Sequence, residues 1–301
     1  MEIKELREGA MPLVKVSGVS FLDVGKTFDC GQCFRFDRVE SSRHQAEYAG
    51  VAFGRHVSFA TEGDTLYVYN SSTEDFCKIW HPFLCLDMDY AAINEDILRH
   101  SRGTVIEAAM EYGKGIRILR QDATEAVISF IVSQNNNIPR IKKIIEALCE
   151  CCGQPIQMSD DNLRHTSGRS SLSAFPSAAS LCELGESGLY DLKTGFRAKY
   201  IYDAAQRIHS GSLLPDALRD CSTTAECIDS LCVVKGIGLK VASCAALFGM
   251  ARYDAFPVDV WMKRVAEKYF PEDVPFSGER FGKYAGIAQQ YLFYYERYQQ
   301  S

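Results

Sequence analysis

The sequence predicts an α+β protein, an N-terminal antiparallel β-sheet domain followed by a mainly helical body. Two observations carry that prediction. From about residue 10 to residue 72, apolar and aromatic residues come in short β-branched runs with partial period-two alternation, separated by turn residues. After Ser72 the spacing changes to three and four residues and holds nearly to the end of the chain. Strands and helices segregated along a chain give an α+β architecture, whereas a parallel sheet needs them alternating. The expected division is a sheet domain over residues 1–90 and a helical body over residues 91–301.

The strand runs are LVKVSGVSF, CFRFDRVE, AEYAGVAF, RHVSFAT and TLYVYN, with turns at Gly54–Arg55 and Glu62–Gly63–Asp64. Helical spacing then marks YAAINEDILRH, TVIEAAMEYG, ATEAVISFIVSQ and IPRIKKIIEALCECCG. Residues 153–174 are polar, serine-rich and aperiodic, and read as an exposed connection. Helices resume at AASLCELGES, RAKYIYDAAQRIHSG and TTAECIDSLCVV. The last of these runs through KGIGLK into VASCAALFGM, a helix–hairpin–helix at about residues 223–249. VDVWMKRVAEKYF and FGKYAGIAQQYLFYYERYQ complete the body, and no internal repeat is visible.

An apolar share of 47% with 24% charged residues over 301 positions is enough for a real core. The net charge of −6 gives no global sign of a polyanion partner, although one face of a protein can depart from its total. MEIKELREGAMPLVKV lacks the apolar h-region of a signal peptide. No apolar stretch approaches the roughly 20 residues that cross a bilayer. Twelve cysteines without an export signal indicate a reducing compartment, where thiols stay free. Cys30 and Cys33 form a CxxC, and Cys149, Cys151 and Cys152 a second cluster. Zinc sites usually present two regular pairs. Here the clusters are more than a hundred residues apart and the second has no nearby histidine, which favours buried or incidental thiols. The spaced four-cysteine set of an iron–sulfur cluster is missing after KGIGLK.

In KGIGLK, two glycines around one apolar residue let a backbone take positive φ and approach a ligand closely. The helix that follows offers unpaired N–H groups at its positive end, which suit a phosphate oxygen. A plain turn between packed helices is the competing reading of such a short motif. Lys240 adds to it. A lysine partly desolvated at a helix N-terminus has a nucleophilic amine, while a surface lysine there is merely slightly unfavourable. Nineteen residues on, FPVDV places Asp259 ahead of the next helix. Asp259 suits an N-cap, worth about 1 kcal/mol. If the chain folds back after Gly249, it also comes close to Lys240. An amine beside a carboxylate is the minimum for displacing a leaving group and handling protons.

SQNNNIPRI, GFRAKY, GIGLKVASC, FPVDV and AGIAQQYLF, in that order, resemble the helix–hairpin–helix DNA glycosylase superfamily, and within it the 8-oxoguanine DNA glycosylases. The resemblance runs from CGQCFRF to the last helix. It implies a bifunctional glycosylase and lyase: Lys240 attacks C1′ of the damaged nucleotide, a Schiff base forms, and β-elimination nicks the strand. Asp259 would stabilise the cationic sugar. The damaged base has to leave the duplex first. By resemblance, Cys244 and Phe293 sandwich the flipped base, Gln289 bonds its pairing edge, and the Gly31 carbonyl accepts the N7 hydrogen that marks 8-oxoguanine. Asn135, Arg140 and Arg197 match residues that hold the cytosine left behind, and Phe196 the aromatic wedge. Gly236 and Gly238 would hold a DNA phosphate.

The implied partner is double-stranded DNA containing 8-oxoguanine, bound by a monomer without membrane association. The setting would be the nucleoid in a bacterial cytoplasm or the nucleus of a eukaryote. No cofactor is required. A structural cation on the backbone carbonyls of Cys232, Val234 and Ile237 is compatible with the hairpin. The chain departs from the family pattern at Lys235, where proline is usual, at Trp261, where histidine is usual, and at Phe196, where tyrosine is usual. Arg140, Lys142, Lys143, Arg197, Lys199, Lys235, Lys240, Lys263 and Arg264 are expected to form a modest basic face, with binding that weakens in salt. Rival readings are a glycosylase of the same fold for another lesion, a non-enzymatic hairpin module, and a cysteine-based redox or zinc protein. Lys240 together with Asp259 counts against the second, and the third rests on Cys30 and Cys33 alone.

Overall fold

All five strand runs form strands, joined by a sixth at the N-terminus, in one antiparallel sheet of order β1-β2-β6-β5-β4-β3. The computed structural model describes residues 1–9, 11–41, 44–156 and 172–299. The strands are β1 Glu2–Glu8, β2 Met11–Ser17, β3 Phe36–Val39, β4 Glu47–Ala52, β5 Arg55–Glu62 and β6 Thr65–Tyr69. Period two sets the inner face: Val14 and Val16 on β2, Val57 and Phe59 on β5, and Leu66 and Val68 on β6 are all fully buried. Val14 and Phe59 both stand opposite Val68 in the pairing. Phe28 covers this face, stacking on Phe36 at 4.4 Å, and Trp80 meets Phe59 edge-on at 5.6 Å.

β1 is an addition to the expected sheet. Every residue of EIKELRE is exposed, so neither face carries an apolar signal, and the strand is held by its pairing with β2. The run LVKVSGVSF stops as a strand at Ser17, because Gly18 turns the chain at φ 75°. Among short helical pieces, α1 (Val24–Asp29) is capped by Asp23, whose side chain accepts from Lys26 N. α2 (Thr73–Asp75) and α3 (His81–Phe83) flank a π-turn over Phe76–Trp80, and together they close the sheet's inner face.

The body contains α4 (Tyr90–Ser101), α5 (Ile106–Tyr112), α6 (Ala123–Val132), α7 (Ile138–Cys152), α8 (Ala178–Leu189) and α9 (Ala198–His209). It ends with α10 (Thr224–Cys232), α11 (Leu239–Gly249), α12 (Val260–Tyr269) and α13 (Ala285–Tyr298). α6 and α11 are apolar nearly all round and lie at the centre, with Val241 to Gly249 buried without interruption. That makes α11 a rigid mount for whatever its first turn carries. No described helix is long and apolar enough to cross a membrane.

Of the expected connection at 153–174, residues 157–171 lie outside the described residues. Its two ends pair, with Ile156 N donating to Leu172 O at 2.8 Å and Ala174 N to Gln154 O at 2.8 Å. Arg117 joins the sheet to the body. It is buried against the Tyr90 ring at 4.4 Å and donates to the carbonyls of Cys85 at 2.6 Å, Phe21 at 2.9 Å and Ser20 at 2.9 Å.

Candidate active site

The hairpin forms as the motif predicts, but its two glycines do different work. α10 opens on a capping box between Thr223 and Glu226. The turn closes with Ile237 N donating to Val234 O at 3.0 Å. Gly236 has φ 81°, and a Cβ there would lie 2.5 Å from the Tyr200 ring, so glycine is needed for packing against α9. Gly238 is the N-cap of α11, with no side-chain cap and open space where a Cβ would point. The free N–H groups that suit an anion are therefore at Gly238 and the start of α11.

Lys240, in the first turn of α11, opens into a cleft of about 650 Å³ that is also lined by Asp259, Cys244, Gln289, Phe293 and Gly31. The α11–α12 connection folds back, so Asp259 reaches the same cleft across nineteen residues. Asp259 caps α12: Oδ1 accepts from Trp261 N at 3.0 Å and from Met262 N at 2.9 Å. Both bonds fall on Oδ1, which leaves Oδ2 without a partner among the described residues. Burial pushes the Cys244 thiol up to about 11, with Lys240 opposing the shift and Asp259 adding to it. The three groups thus sense one another. Gln289 is buried, and its Oε1 has no hydrogen-bond partner among the described residues, an arrangement that costs energy unless a ligand satisfies it.

Gly31 sits in a turn between α1 and β3 at φ 78°. The carbonyls around it are occupied. Tyr298 Oη donates to Asp29 O at 2.7 Å, Gln290 Nε2 to Cys30 O at 2.7 Å, and Gln121 Nε2 to Gln32 O at 2.7 Å. The Gly31 carbonyl itself has no partner among the described residues, and Gly31 lines the cleft. A Cβ on Gly31 would touch Ile138 at 3.5 Å and Phe293 at 3.8 Å. The neighbouring CxxC is structural: Cys30 and Cys33 are buried, and burial pushes both thiols up to about 12. All twelve cysteines are free, and no metal-binding cluster exists among the described residues.

At the rim stand Asn135 and Phe196, both exposed, with the Phe196 ring edge-on to Tyr200 at 6.0 Å. Asn135 holds the strained φ of 46°. Arg140 is exposed in the first turn of α7, whose cap Asn137 accepts its N–H at 3.0 Å. Arg197 is not a solvated charge. It is 2% exposed, and its guanidinium donates to the carbonyls of Gln134, Asn135 and Thr194, at 2.9 Å to Asn135 and 3.1 Å to Thr194. One Nη1 hydrogen remains unassigned, and the side chain acts here as the frame behind Asn135. Burial, and after it the charge of Arg140, lower the Arg197 pKa.

Lys142 leaves the expected basic face, because its ammonium is committed to Phe36 O at 2.6 Å and Asp37 at 2.8 Å. Lys263 lines the cleft, and so does Trp261, whose ring is covered by Arg264 at 4.7 Å. Sequence reasoning missed Gln121, Gln134, Gln290 and Arg297. Gln134 and Arg297 line the cleft, and Gln134 Nε2, like Gln289 Oε1, is buried without a hydrogen-bond partner among the described residues. Only adjacency hinted at two of them, Gln134 beside Asn135 and Gln290 beside Gln289.

Residues 16–127 match the family described as 8-oxoguanine DNA glycosylase, N-terminal domain, and residues 128–274 match the HhH-GPD superfamily of base excision DNA repair proteins. The structure of MBOgg1 in complex with a low affinity DNA ligand is 37% identical, covers all of both chains and has a TM-score of 0.87. The Clostridium acetobutylicum 8-oxoguanine glycosylase/lyase, solved with double-stranded DNA containing cytosine opposite the lesion, is 34% identical. It covers 100% of this chain and 99% of its own, at a TM-score of 0.88. The N-glycosylase/DNA lyase OGG1 of Arabidopsis thaliana is 26% identical over 300 residues, which is 89% of this chain and 75% of that protein. A 3-methyladenine DNA glycosylase from Archaeoglobus fulgidus shares the fold at 17% identity and a TM-score of 0.69.

Proposed function

The chain belongs to the 8-oxoguanine DNA glycosylase family, and from that premise we propose that it excises 8-oxoguanine from duplex DNA through a Schiff base on Lys240. It is a DNA glycosylase with lyase activity at the abasic site, an enzyme of base excision repair. The observation that carries the mechanism is that Lys240 and Asp259 line one cleft, with the unsatisfied Oε1 of Gln289 in the same cavity.

A nucleotide turned out of the duplex would present C1′ to both groups. The Lys240 amine attacks C1′ as the bond from C1′ to the base breaks. The bonding pair leaves with the base, which takes up a proton. The Asp259 carboxylate faces the positive charge developing on the sugar, and its Oδ2 is available to carry protons. Ring opening of the sugar leaves a protonated imine between Lys240 and C1′. That imine acidifies the C2′ hydrogen. Its loss as a proton drives electrons into a C2′–C3′ double bond and expels the 3′ phosphate, which nicks the strand. Water then hydrolyses the imine and returns the amine. None of these steps needs a cofactor. A cation on the carbonyls of Cys232, Val234 and Ile237 would be structural only, and the Val234 carbonyl already accepts from Ile237.

In this reading Cys244 and Phe293 hold the two faces of the base, and Gln289 its pairing edge. The Gly31 carbonyl accepts the N7 hydrogen that guanine lacks, a term of about 1–3 kcal/mol when a buried acceptor would otherwise go unpaired. Asn135, Arg140 and the remaining Nη1 hydrogen of Arg197 would read the orphaned cytosine, with Phe196 filling the gap in the stack. Gly238 and the start of α11 grip a phosphate, and Gly236 shapes the turn. The enzyme acts as a monomer wherever the genome lies, nucleoid or nucleus. The test is reductive trapping. With 8-oxoguanine opposite cytosine, borohydride is expected to give a covalent adduct that Lys240→Gln abolishes. Strong base release by that variant would remove Lys240 as the nucleophile.

A further inference from the structure

We propose that Asp203 is a positioning residue for the DNA grip, fixing the hairpin turn through the backbone N–H of Lys235 and coupling that turn to the wedge at Phe196. The proposal rests on the reading of the hairpin as a phosphate grip. α9 starts directly after Phe196 and Arg197 and carries Tyr200, Asp203 and Arg207 at helical spacing on one face. The Tyr200 ring meets Phe196 at 6.0 Å and fills the space where a Gly236 Cβ would stand. One turn on, Asp203 Oδ2 accepts the Lys235 N–H at 2.8 Å and Arg207 Nε at 2.8 Å. Burial opposes ionisation of Asp203, but these two bonds hold its carboxyl below the ordinary value.

The geometry of the turn explains why such a clamp is useful. Val234 to Ile237 is closed by one backbone bond, with a positive φ at its third residue, Gly236. Turns of this kind favour proline at the second position, because the ring fixes φ in advance. Lys235 has no such restriction, but it has the N–H that proline lacks. A carboxylate acceptor makes that bond a charge-assisted one, the stronger sort. Release of the clamp would let the turn move, and with it Gly238, the N-cap of α11 that has no side-chain cap. Lys240 would be disturbed less, since α11 is buried from Val241 onward. The expected defect is in DNA binding and not in the chemical step.

The experiment uses the full-length enzyme and a duplex carrying 8-oxoguanine opposite cytosine. Single-turnover rates are measured against DNA concentration for wild type, Asp203→Ala, Lys235→Pro and the double variant. Asp203→Ala is expected to raise the half-saturating DNA concentration by about tenfold while changing the saturating rate by less than about twofold, the loss of roughly one charged hydrogen bond. In the Lys235→Pro background the same Asp203→Ala substitution is expected to change nothing, because the N–H it serves is gone. An effect of equal size in both backgrounds, or none in the wild type, overturns the proposal. Asp203→Asn, which keeps an oxygen acceptor without the charge, serves if the alanine variant does not fold. It should show a smaller rise, and an unchanged half-saturation overturns the proposal equally. Should wild type fail to release 8-oxoguanine, the functional reading falls instead. The clamp is then tested by the same cycle on binding to a lesion-free duplex.

Discussion

Gln290 donates its buried amide N–H to the carbonyl oxygen of Cys30 at 2.7 Å, tying the last helix to the turn that carries Gly31. With Asp29 and Gln32 also bonded, the turn is fixed on both sides of the one carbonyl assigned to the lesion. Gln290→Ala would leave Cys30 O buried and unpaired, at a cost of about 1–3 kcal/mol, and would let the Gly31 carbonyl drift. The expected outcome is a lower melting temperature together with a several-fold loss of preference for 8-oxoguanine over guanine. That preference is measured as binding in an inactive Lys240→Gln background. A stability loss with intact preference would mean the turn does not set lesion recognition.

Asp259 combines a structural and a chemical role, and two substitutions separate them. Asparagine keeps an oxygen that can accept from Trp261 and Met262 N–H, so Asp259→Asn should retain the melting temperature and lesion binding. Alanine loses the cap as well, about 1 kcal/mol. Both are expected to lose roughly 10²–10⁴-fold in the rate of base release, the usual range for a missing acid–base group. Unchanged single-turnover rates in Asp259→Asn would leave Asp259 as a cap and nothing more.

Family resemblance points to the residues of this site, and fixed spacings on single elements show which of them share a face. Lys240 and Cys244 are one turn apart on α11, and Gln289 and Phe293 one turn apart on α13, so helical periodicity alone placed each pair on a common face. β1 escaped because a strand exposed on both faces has no alternation to detect. Arg197 is singled out by resemblance, but its burial is not legible, because a buried arginine is the exception and its partners are backbone carbonyls, which no sequence pattern displays. Lys142 misled for the complementary reason: it is drawn off the expected face by Asp37, about a hundred residues away in sequence.

The frame behind Asn135 gives a sharper test of orphan-base reading than Asn135 alone. Arg197→Ala removes the donors that hold Gln134, Asn135 and Thr194 carbonyls, and hydrogen bonds to a charged group are worth about 1.5–3 kcal/mol each. The strained turn at Asn135 should then relax. A marked fall in melting temperature is expected, with the ratio of activities opposite cytosine and opposite adenine collapsing toward one. Arg140→Ala, a change at an exposed position, should reduce the same ratio with the melting temperature held. If Arg140→Ala leaves the ratio intact, the exposed arginine is not a reader.

Glu125 gives the protein a pH-dependent stability that the chemistry does not use. Its carboxyl is buried in the first turn of α6, 3.8 Å from Arg35, and burial pushes it up to about 7 from 4.5, with Arg35 only partly opposing. Between those two values the folded protein holds a proton that the unfolded chain has released, so stability falls as pH rises through the window. The contribution is present below the unfolded value and lost above the folded one, a span on the order of 3 kcal/mol. Glu125→Gln is neutral at every pH. Its melting temperature should therefore fall less between about pH 5 and pH 8 than that of the wild type. Scanning calorimetry of both proteins across that range is the check. Parallel slopes would show that Arg35 keeps Glu125 ionised throughout, with the folded protein binding no extra proton there.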